Sequence, residues 1–77
     1  MNFEVPNSKK LAIIYKNDYV CAQKFADNYR NDYQVSVFEF PKKMGKLLNR
    51  IEAEGYYAYI IYDENQEVND LHVIKEQ

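Results

Sequence analysis

The chain has 77 residues, a formal net charge of −2, 47% apolar residues, 29% charged residues and a single cysteine. That length allows one small domain, which buries only about 60% of the surface its unfolded form exposes. Lone Cys21 excludes an internal disulfide and a cysteine-built metal cage. No run approaches the roughly 18 apolar residues of a membrane span, and the net charge provides no general basic field for nucleic acid.

Residues 1–9 have no periodicity and contain Pro6, so they are read as a flexible lead-in to a domain over 10–77. The Met1-to-Pro6 start lacks the basic and apolar segments of a secretory signal, and a reducing cytoplasm is the expected compartment. A first strand is predicted at about 10–16, on the apolar run Leu11-Ala12-Ile13-Ile14-Tyr15. Asn17-Asp18 predicts a helix start, with Asp18 accepting from a first-turn N–H. Ala22, Phe25, Ala26 and Tyr29 then follow the i, i+3, i+4, i+7 spacing of one helix face, and Asn31-Asp32 marks the exit. Cys21 falls on the apolar side of this helix, as a small apolar residue.

A second strand at about 34–40 alternates, with Val35 and Val37 on one side and Ser36, Phe38 and Phe40 on the other. Half-polar alternation predicts an edge position. Pro41 blocks further pairing and suits a helix start. Met44, Leu47, Leu48 and Ile51 repeat the helical period, and Gly55 is placed to end that helix. The apolar run Tyr57-Ala58-Tyr59-Ile60-Ile61-Tyr62 predicts a third strand over 56–62. A polar turn, Asp63 to Glu67, leads to a short last strand at Leu71-His72-Val73-Ile74. Such a turn is too short for a helical crossover, so the last pair is antiparallel.

The predicted fold is therefore three-layer α/β, with a four-stranded mixed sheet in the order β-α-β-α-β-β, mainly parallel with an antiparallel edge strand. Right-handed crossovers put the first strand between the second and third, with the fourth on the far edge. Ala22, Phe25, Ala26, Met44, Leu47, Leu48 and Ile51 are expected against the sheet.

Chemistry-bearing motifs are few. With only Gly45 and Gly55, neither a phosphate-binding loop nor a dinucleotide fingerprint can be built. His72 is the only histidine, with Asp70 its nearest carboxylate in sequence, and is read as structural. Asp63 and Glu64 stand where α/β enzymes place acids, and equally where a strand ordinarily ends. Tyr56, Tyr57, Tyr59 and Tyr62 fit core packing or, alternatively, a stacking platform for bases. The candidate site is basic. Residues 41–50 hold Lys42, Lys43, Lys46 and Arg50 with no acid, a local +4, against a local −4 over 63–77. Lys43, Lys46 and Arg50 are spaced to line one stripe, expected opposite Met44, Leu47 and Ile51. Lys42 and Lys43 lie beside the helix N-terminus, where an anion is favoured. A solvated helix face and a site for phosphate or an acidic partner both fit this pattern.

From Leu11 to Ile74 the chain resembles the anticodon-binding domain of class II aminoacyl-tRNA synthetases, especially the histidyl type. The densest match is the basic helix from Lys42 to Gly55, followed by the strand Tyr57 to Tyr62 and the acids Asp63 and Glu64. Tyr62 stands where that family often has glycine. The family includes a non-synthetase relative, the regulatory subunit of ATP phosphoribosyltransferase in histidine biosynthesis. The resemblance implies a non-catalytic accessory domain without cofactor or metal, whose partners are other domains or subunits of a synthetase-like complex. It leans toward the regulatory relative. A tRNA-binding domain of a histidyl-tRNA synthetase is the rival, and a free-standing protein-interaction domain is the third reading.

Overall fold

The computed structural model describes residues 9–74. The lead-in expected over 1–9 falls outside the described residues except for Lys9, and the last residues of the expected domain, 75–77, fall outside too. Six elements follow the expected order: β1 (Lys10–Tyr15), α1 (Tyr19–Asp27), β2 (Gln34–Glu39), α2 (Met44–Ala53), β3 (Ala58–Tyr62) and β4 (Leu71–Val73). The sheet order is β2-β1-β3-β4. Strand β1 pairs in parallel with β2 and with β3, while β3 and β4 are antiparallel. This is the predicted mixed α/β sheet, with β2 on one edge and β4 on the other.

Burial follows strand alternation. Leu11, Ile13, Ala58, Ile60 and Tyr62 form a core with Ala22 and Ala26 of α1, while Ala12 joins Ile51 of α2 and Tyr56 in a second cluster. Successive β1 side chains thus serve opposite faces, which is why the apolar run is continuous: a helix covers each side. Both alanines of α1 are fully buried, and their small side chains let the helix lie close to the sheet. Phe25 extends the contact, its ring stacked on Tyr62 with centroids 4.5 Å apart.

Helix boundaries follow local chemistry. Asp18 caps α1 as expected, its carboxylate accepting from the Cys21 N–H at 3.0 Å. Regular α1 stops at Asp27, four residues before the expected exit, and turns carry the chain to β2. Tyr29 still packs onto the α1-side core from those turns. At the end of β2, Phe40 N–H donates to the Tyr15 carbonyl at 2.9 Å. Pro41, with no N–H, ends the ladder. Pro41 does not begin α2; Lys43 is the N-cap and Met44 the first helical residue.

Of the seven side chains expected against the sheet, Ala22, Ala26 and Ile51 are fully buried, whereas Phe25, Met44, Leu47 and Leu48 are half-buried. One helix per face cannot cover a four-stranded sheet, so the margins of each helix remain accessible.

Candidate anion-binding groove

Pro41, Lys42, Lys43, Lys46, Leu47 and Arg50 line an open groove of about 510 Å³. All four basic residues singled out in the sequence therefore meet at one surface feature. Two come from α2, one is its N-cap, and one sits on the short connection behind Pro41. Pro41 and Leu47 supply an apolar floor, and the aliphatic stems of the long side chains add to it.

Leu47, expected opposite the cations, instead lines the groove with them. At 3.6 residues per turn, Leu47 lies only about 40° around the axis from Lys43 and about 60° from Arg50. The basic stripe therefore adjoins the apolar one, and a shared apolar and cationic surface results.

Arg50 is partly engaged. Its Nε donates to Glu54 Oε2 at 3.1 Å, with both side chains well exposed, and its guanidinium carbon lies 6.0 Å from the Phe38 ring centre. An ion pair this accessible to water is weak. The side chains of Lys42, Lys43 and Lys46 form no ion pair or hydrogen bond among the described residues. Helix α2 has no acidic residue in its first turn and no side-chain cap. Unpaired N–H groups and lysine ammonium groups thus concentrate positive potential at one helix end.

Sequence reasoning missed Lys16. Its Nζ lies 5.5 Å from the ring centre of Phe40, the residue preceding Pro41. The parallel register pairs Tyr15 with Glu39, which brings the next residue of each strand together. The signal existed only once the strand pairing was known.

The other candidates are occupied by structure. Asp63 shapes the β3–β4 turn: its Oδ1 accepts from Asn65 N–H at 2.9 Å, and its own N–H donates to Asn69 Oδ1 at 3.0 Å. Glu64 has one carboxylate oxygen buried without a hydrogen-bond partner among the described residues. His72 is exposed and stacks on Tyr59, its directly paired neighbour, with centroids 5.0 Å apart. Tyr56 and Tyr62 are buried, while Tyr57 and Tyr59 are half-buried. Tyr57 is covered on one face by Lys9, whose Nζ is 4.2 Å from the ring centre. The four tyrosines therefore present no continuous exposed platform.

Burial pushes the Cys21 thiol above its ordinary value, and the Asp18 carboxylate adds to the effect. The thiolate that would act as a nucleophile is thereby disfavoured. Burial likewise raises Tyr62, reinforced by the nearby Cys21, Glu64, Asp18 and Asp63. Among the described residues, no group of three His, Cys, Asp or Glu side chains is arranged to hold a metal ion. No described helix is long and apolar enough to cross a membrane.

Comparison of the chain with protein-family models, curated proteins and solved structures returned no match.

Proposed function

We propose that this chain is a non-catalytic accessory domain that docks an acidic polypeptide segment in the groove between Pro41 and Arg50. The observation that carries the reading is the convergence of four cations on an apolar floor. A segment with carboxylates around an apolar side chain matches both components. Phosphate alone would use the cations and leave the floor unmatched. The resemblance to synthetase-type anticodon-binding domains supports reading the domain as part of a cytoplasmic regulatory subunit of the ATP phosphoribosyltransferase kind, with other domains or subunits as its partners. A degraded class II catalytic core in the parent protein would support that placement, and an intact ATP- and histidine-binding core would count against it.

The rival reading, binding of an anticodon loop, draws support from Phe40, which is 39% exposed and next to the groove. Against it, the lining contains no aromatic side chain on which bases would stack. Titrations of a labelled acidic, amphipathic peptide and of an anticodon stem-loop at near-physiological salt separate the two. The peptide is expected to bind, with affinity falling about tenfold or more in a Lys43→Glu/Lys46→Glu variant. The stem-loop is expected to give no saturable complex. Tight RNA binding whose logarithm falls against the logarithm of salt with a slope of about one per phosphate contact, and which disappears in the double variant, would overturn the proposal.

A further inference from the structure

We infer that the groove receives the β3–β4 turn of a second copy of this chain, an inference that rests on reading the groove as a dock for acidic polypeptide. Between residues 63 and 70 the chain carries Asp63, Glu64, Glu67 and Asp70 and no cation. Val68 is 70% exposed, more than the other large apolar side chains left exposed among the described residues. Glu67 and Asp70 on either side of it are exposed too. An apolar knob between two carboxylates is the inverse of an apolar floor rimmed by lysines.

The turn is ordered before any contact forms. Gln66 N–H donates to the Asp63 carbonyl at 3.0 Å, and Asn65 N–H and Asn69 Oδ1 are both bonded to Asp63. Presenting Val68 to a partner therefore costs little further ordering. Within one copy β1 stands between β2, which leads into the groove, and β3, which leads into the turn. No residue of the turn lines the groove. In a pair of copies, Val68 of one seats on Pro41 and Leu47 of the other, with Glu67 and Asp70 among Lys42, Lys43 and Lys46. Because each copy carries both halves, a two-fold arrangement forms the contact twice.

Sedimentation equilibrium of the full chain over a wide concentration range tests this, with far-UV circular dichroism confirming that each variant folds. A monomer–dimer equilibrium is expected, weakened about tenfold or more by high salt, by Val68→Asp, or by Lys46→Glu or Glu67→Lys alone. Combining Lys46→Glu with Glu67→Lys in one chain should restore much of the association. A chain that stays monomeric throughout, or a dimer indifferent to these changes, overturns the inference. The acidic-peptide titration distinguishes the two failures. A monomer that still binds the peptide through Lys43 and Lys46 leaves the groove reading standing, and a monomer that does not bind it sinks both.

Discussion

At Gly55 the backbone takes φ +85°, a conformation that costs an ordinary L residue about 1–2 kcal/mol. It allows two hydrogen bonds to close α2: Gly55 N–H to the Glu52 carbonyl at 3.1 Å and Tyr56 N–H to the Ile51 carbonyl at 3.0 Å. This is the Schellman arrangement, with its apolar contact supplied by Tyr56 and Ile51 in one buried cluster. A Cβ added at Gly55 would meet nothing within 4 Å, so the cost of substitution is conformational and not steric. Gly55→Ala should therefore lower stability by about 1–2 kcal/mol in urea unfolding, and Gly55→Asn by less. Equal losses for the two would point to a packing defect instead.

Helix α2 joins the sheet through one stripe and lines the groove with another. Ile51 is fully buried and Leu48 only half-buried. Ile51→Ala should cost about 2–5 kcal/mol and Leu48→Ala less than that range. Equal costs in chemical denaturation would contradict the observed packing. The groove stripe behaves differently. A cation at a helix N-terminus opposes the macrodipole, so Lys43→Glu should raise stability by about 0.3–1 kcal/mol while it weakens docking of the acidic peptide. Paired denaturation and binding measurements check both parts. Loss of binding together with loss of stability would mean that Lys43 serves the fold.

For the molecule as a whole, alkaline pH is the expected weak point. Cys21 packs against the core cluster that contains Tyr62, the Asp18 and Glu64 carboxylates act on both groups, and both are raised above their ordinary values of 9.0 and 10.0. Each group holds its proton more tightly folded than unfolded. Its contribution is therefore fully present below the ordinary value and is lost as pH rises through the raised folded value. The urea midpoint should fall as pH climbs past about 9, and fall less in Tyr62→Phe and Cys21→Ala. An unchanged decline in both variants would assign the effect to other groups.

The order of elements, the parallel core of the sheet, the edge position of β2, the Asp18 cap and the Gly55 stop were all legible in the chain. Each depends on a local period or on a local backbone requirement that a few neighbouring residues express. The four basic residues were also legible, because a charge run with no acid needs no fold to be seen. Tertiary structure alone decided that Leu47 shares their surface, that Lys16 approaches Phe40, and that Phe25, Met44, Leu47 and Leu48 stay half-buried. Those facts depend on where a helix margin or a strand end comes to rest against another element. Spacing along one element gives a direction around its axis, and only packing determines what stands in that direction.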